Sequence, residues 1–188
     1  MSEEIKGKRV AVMVANEGVE QIEMTAPIEA LKNAGAEVDL IAPEHGEVQA
    51  FNHLDKADTF RVDHSLGEVN AGDYAALVLP GGVANPDQLR TEPKAVQFVK
   101  DFFSEGKPVG AICHAPWTLV EADVVEGRTL TSWPSLKTDI ENAGGTWVDE
   151  EVHVDQGLVT SRNPDDLDAF CSKMVEEITE GRHAGQTA

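Results

Sequence analysis

Cysteine is scarce in this sequence: two in 188 residues, at positions 113 and 171. Thiols so far apart build neither a disulfide framework nor a metal knuckle, and they suit a reducing compartment. Basic residues are also few, 15 against 34 acidic ones, giving a formal net charge of −19. That balance argues against nucleic acid or an anionic membrane surface as partner, since both would be repelled. It fits a heavily solvated surface in a salty cytoplasm as well as an acidic protein from an ordinary cell. No apolar run is long enough to cross a bilayer, and Met1 to Arg9 is polar and charged, unlike a signal peptide. A cytoplasmic location is expected. G-x-x-x-x-G-K-[ST], G-x-G-x-x-G and H-E-x-x-H are all missing, and the six histidines show no metal-ligand spacing. No cofactor and no metal are therefore expected.

What is present is an alternation of strand-like and helix-like stretches, the pattern of an α/β domain with a mostly parallel sheet. Hydrophobic residues at 41% and charged residues at 26% describe one globular domain over 1–188, with a core of about 8–180 and a loose tail at 181–188. Strands are predicted at Lys8–Ala15, Glu37–Ala42, Ala75–Leu79 and Val109–Ile112. Residues 43 to 74 read as an irregular excursion, a hairpin at the sheet edge. Helices are predicted around Ile28, Leu31 and Ala34, ending at Gly35, and from Pro93 through Val96, Val99 and Phe103. Further along, a short helix ends near Val125, a strand spans Thr129–Ser132, and Ser135 caps a helix carrying Leu136 and Ile140. Val148–Val154 and Leu158–Ser161 read as paired strands. A last helix starting at Asn163-Pro164 places Cys171 on a core-facing stripe, a structural role for a thiol.

The stretch that carries chemistry is Pro108 to Trp117, in which a buried apolar run stops at Cys113-His114 and Pro116 follows. This is a strand running through a tight turn into a helix, with small Ala111 and Ala115 two positions either side of the cysteine: a nucleophile elbow. A helix N-terminus and a neighbouring imidazole both favour thiolate, so Cys113 is expected to be reactive at neutral pH. The plainer alternative is a buried small hydrophobe. Adjacency alone does not make His114 its partner, since neighbours at a tight turn often point apart. The first strand runs into a loop bearing Glu17, Glu20 and Glu23, and the Ala75–Leu79 strand ends in Pro80-Gly81-Gly82. If these strands adjoin, their loops assemble a thiol, an imidazole, carboxylates and glycine amides, the means for covalent attack on a carbonyl.

The segments ALVLPGG (76–82), EGKPVGAICHAP (105–116), TSWPSLKTDIENAGG (131–145) and SRNPDDL (161–167) resemble, in this order, the ThiJ/PfpI superfamily. That group includes PfpI-type intracellular proteases and the parkinsonism-associated deglycase, and the resemblance spans roughly Lys8 to Glu180. It implies a flavodoxin-like three-layer sandwich, related to the class I glutamine amidotransferases, assembled as a homodimer or hexamer. It implies Cys113 as nucleophile, Glu23 as the acid touching its sulfur, and the Gly82 and His114 amides as oxyanion donors. It also implies that His114 is oriented by an acid from another subunit, matched by Asp87. Here that segment is one residue longer and bears Asp where the type protease has Glu, so its reach is shorter; Asp87 reads equally as the cap of the following turn. The implied substrates are small reactive carbonyls or glycated proteins and peptides, in a stress-protective deglycase or glyoxalase-like reaction. A PfpI-type cysteine peptidase and a non-enzymatic redox sensor or chaperone use the same cysteine.

Overall fold

A computed structural model describes residues 5–186. The chain order is β1 (Arg9–Met13), β2 (Glu17–Glu20), α1 (Gln21–Asn33), β3 (Glu37–Ala42), β4 (Glu47–Asn52), β5 (Asp55–Arg61) and β6 (His64–Ser65). It continues with β7 (Ala76–Leu79), α2 (Ala84–Leu89), α3 (Pro93–Ser104), β8 (Val109–Ile112), α4 (Pro116–Glu121), β9 (Thr129–Leu130) and α5 (Lys137–Asn142). The last elements are β10 (Thr146–Trp147), β11 (Val152–Asp155), β12 (Leu158–Ser161) and α6 (Leu167–Glu180).

Seven strands form the central sheet in the order β11-β12-β8-β7-β1-β3-β6, parallel throughout except for the β11–β12 hairpin. Side chains alternate across a strand, so each strand feeds two cores. Ala11, Met13, Leu77, Leu79, Val109 and Ala111 face the layer made by α3, α4 and α5. Val10, Val12, Ala76, Val78 and Ile112 face α1 and α6 on the other side. Strands buried on both faces read as continuous apolar runs, which is why VAVM and ALVL are legible in sequence. Pro93 occupies the first position of α3, as a proline with no amide to offer should.

The structure departs from the sequence reading where local pattern underdetermines partner choice. The excursion at 43–74 does contain a hairpin, β4–β5, but it pairs with β2 in a separate three-stranded sheet. Only β6 joins the central sheet edge. Thr129–Leu130 pairs with Thr146–Trp147 in a two-stranded sheet of its own, and β11 begins later, at Val152. The helix after the elbow stops at Glu121, short of Val125. Ser135 caps nothing: it lies inside a 3-10 turn, Pro134–Leu136, that leads into α5. Asn163 does cap, its side chain accepting from the Asp165 amide. Cys171 is half-buried against the α1/α6 core, where burial pushes its thiol up to about 12, fitting the structural reading. The segment 181–186, read as loose from composition, lies against the body of the protein; residues 187 and 188 fall outside the described part.

Candidate active site

β8, β7 and β1 are neighbours in the sheet, and the loops leaving their carboxyl ends converge on one cleft of about 940 Å³. Parallel sheets open their sites at this end. Cys113 sits at the tip of the β8 loop with φ of +64°, a left-handed conformation that disfavours any side chain. Main-chain bonds hold it there: its amide donates to Ser161 at 3.1 Å, and its carbonyl accepts from Trp133 at 2.9 Å. Ala111 and Ala115 are buried on either side.

The turn brings Cys113 and His114 together instead of splaying them: Sγ lies 3.1 Å from Nδ1. The imidazole is wedged between Trp117, edge-on at 5.2 Å, and Trp133, stacked at 5.6 Å. Burial lowers its pKa, so the ring is neutral at pH 7.

Glu23 stands in the first turn of α1 and is fully buried. Its Oε2 accepts from the Gly81 amide at 2.9 Å, while Oε1 has no hydrogen-bond partner among the described residues. Burial pushes this carboxyl up to about 8; the adjacent Cys113 thiol and the Gly81 and Gly82 amides pull against that rise, and the charge of Glu20 adds to it. Glu23 therefore holds its proton at neutral pH.

Burial, and the Glu23 carboxylate once it ionises, push the Cys113 thiol above its ordinary range, against the pull of the Gly82 and His114 amides. Of the two features expected to favour the anion, α4 spans only six residues and the imidazole is uncharged. The Gly82 and His114 amides act on the sulfur in the other direction, favouring its anion.

Asp87 lies in α2 on the exposed rim of the cleft. It makes no hydrogen bond or ion pair among the described residues, so it neither caps a turn nor reaches His114 within this chain. Glu17 and Glu20 also line the cleft, and Glu20 accepts from the His53 amide at the hairpin tip.

Asn85 was invisible to motif reading. It is fully buried in α2; Oδ1 accepts from the Ala15 amide at 2.6 Å, and Nδ2 donates to the carbonyls of Pro80 and Gly81 at 2.9 and 3.0 Å. One side chain thereby clasps the end of β1 to the glycine loop. Its only sequence signal is an amide residue shortly after Pro-Gly-Gly. The aromatic walls at Trp117 and Trp133 were likewise not singled out.

The sheet order, the strained cysteine at a strand end and the buried acid beside it define an α/β protein with a nucleophile elbow. The sequence model of the DJ-1/PfpI family matches residues 8–177, and the chain belongs to that family. It is 40% identical over 163 residues to the "Putative cysteine protease YraA" of Bacillus subtilis, covering 87% of this chain and 94% of the relative. It is 43% identical over 164 residues to "Protein/nucleic acid deglycase 2" of Escherichia coli, covering 87% and 93%. Among solved structures, Drosophila melanogaster DJ-1beta superposes with a TM-score of 0.83 at 30% identity, covering 92% of this chain and 91% of that one.

Proposed function

We propose that the chain is a stress-protective cysteine-dependent hydrolase or lyase acting on reactive carbonyls such as methylglyoxal, or on their adducts with protein amines. One observation carries this reading: a buried, protonated carboxyl, Glu23, with an unpartnered oxygen beside the cleft's thiol. As the sulfur adds to the aldehyde carbon, the thiol proton passes to Nδ1 of His114. The carbonyl π pair becomes an oxyanion held by the Gly82 and His114 amides. In an amine adduct, the S–C bond forms as the C–N bond breaks, and the amine leaves with a proton. In the aldehyde addition Glu23 protonates the oxyanion and regains a proton from the imidazolium of His114. In either hemithioacetal the Glu23 carboxylate then carries the proton from C1 to C2 while the C1 hydroxyl proton passes to the C2 oxygen. C1 is oxidised to a thioester while the adjoining ketone carbon is reduced to an alcohol. Water then cleaves the thioester to a hydroxy acid and restores the thiol, with no outside oxidant or reductant.

The test is consumption of methylglyoxal, and release of free amine from methylglyoxal-treated N-acetyl-lysine, by wild type and by Cys113→Ser. Turnover no higher than in the serine variant, with ready peroxide oxidation of Cys113, would reject the proposal in favour of a redox sensor. Cleavage of a fluorogenic peptide by wild type alone would favour the peptidase reading, which the name of the B. subtilis relative supports.

The mouth of the cleft favours a second copy of this chain as its cover. Leu54, Val83 and Trp133 are the exposed large hydrophobics there, Leu54 at 95%. Asp87 lies on the same rim with no hydrogen bond or ion pair among the described residues, and on this reading it orients His114 of another copy. A monomer by light scattering at assay concentration would sink this part of the reading.

A further inference from the structure

A second convergence of ligating side chains lies far from the cleft in sequence, at the end of α6. Glu177 and Glu180 are one helical turn apart, and Gly181, with φ of +91°, ends the helix and reverses the chain. The reversal brings back His183, so that ligand atoms of Glu177, Glu180 and His183 all lie within 4.8 Å of one another. Glu177 is 5% exposed, and its Oε2 stands 2.9 Å from Nε2 of His183. The contact lacks hydrogen-bond geometry: both atoms are buried and have no hydrogen-bond partner among the described residues. A nitrogen and an oxygen at that spacing match the cis edge of an octahedral site with bonds of about 2.1 Å. The carbonyl end of a 14-residue helix adds partial negative charge at the same place.

The surroundings are shaped to receive this segment. The His183 amide donates to the Gly106 carbonyl at 2.7 Å, and a Cβ at Gly106 would stand 2.7 Å from the His183 carbonyl oxygen. A Cβ at Gly157, in the β11–β12 turn, would meet the His183 ring at 2.8 Å and Oε1 of Gln186 at 2.4 Å. Gln186 is buried, and neither polar atom of its amide has a hydrogen-bond partner among the described residues.

We propose that Glu177, Glu180 and His183 form a divalent metal site that pins the C-terminal segment onto the turns at Gly106 and Gly157. One imidazole with two carboxylates selects a first-row transition ion such as Zn²⁺ or Mn²⁺ over Mg²⁺ or Ca²⁺, which take oxygen ligands. Sequence spacing hides the site, because His183 reaches it only through the glycine reversal.

The test uses the full chain carrying Cys113→Ser, which removes the thiol as a competing ligand. Titration calorimetry is expected to show one equivalent of Zn²⁺ bound, lost in His183→Ala and weakened in Glu180→Gln, both of them substitutions that leave the core intact. Trypsin supplies a second readout, since Arg182 immediately precedes the histidine. Release of peptide 183–188 should slow about 100-fold at Zn²⁺ a hundred times the dissociation constant, because cleavage follows the population of the opened segment. In His183→Ala, Zn²⁺ should leave that rate unchanged. No Zn²⁺ binding, or binding and protection that persist in His183→Ala, overturns the proposal.

Discussion

A methyl group on Gly81 would stand 2.4 Å from Oε2 of Glu23 and 2.7 Å from Cβ of Cys113. No rotation of a flexible tip relieves the second contact, so the acid and the nucleophile meet only because residue 81 has no side chain. Gly81→Ala is expected to leave a folded protein whose turnover of methylglyoxal falls at least tenfold. Wild-type kinetics in that variant would show that the approach of Glu23 to Cys113 is incidental.

The strain at Cys113 makes a prediction that separates stability from chemistry. A side chain at its φ of +64° costs about 1 kcal/mol relative to glycine. Cys113→Gly should therefore melt above Cys113→Ala, while both are inactive. Equal melting temperatures would mean the backbone there is relaxed.

Glu23→Gln separates the proton from the shape. Catalysis that needs the neutral carboxyl should fall as pH rises through about 8, and this limb should vanish in the variant along with most of the rate. Stability carries the same signature. The folded-state pKa is raised above the ordinary carboxyl value of 4.5, so Glu23's contribution is fully present below 4.5 and is lost progressively up to about 8. Melting temperatures of wild type and Glu23→Gln should thus diverge between pH 4.5 and 8, in favour of the variant at the upper end. Parallel curves would place the titration elsewhere.

Asn85→Ala leaves the Ala15 amide and two loop carbonyls without their partner in a dry site, a loss of roughly 2–4 kcal/mol. Chemical denaturation measures it directly. Asn85→Asp should be no better, because it turns an acceptor toward the Pro80 and Gly81 carbonyls that now receive a donor. A change below about 0.5 kcal/mol, the scale of an ordinary surface substitution, would show that the clasp is dispensable.

The central strands and the elbow were readable from residue order alone, because a strand buried on both faces must be apolar throughout and a sharp turn must be flanked by small side chains. The β4–β5 hairpin was readable as a hairpin, yet its attachment to β2 was not, since strand pattern does not say which edge will pair. The electrostatics of the site is hidden for a related reason. The short span of α4 and the burial of His114 between Trp117 and Trp133 are tertiary outcomes that local sequence does not encode. Asn85 escaped notice because a polar residue near a turn looks the same whether it faces water or three main-chain groups.

Glu17, Glu20 and Asp87 border the cleft beside the neutral Glu23, and among the described residues no lysine or arginine lines it. On the proposed reaction a neutral dicarbonyl enters this ring of acids unopposed, whereas the hydroxy acid that leaves bears a carboxylate. The same wall of charge that is indifferent to the reactant ejects the product, so end-product inhibition should be weak and should grow as added salt screens the repulsion.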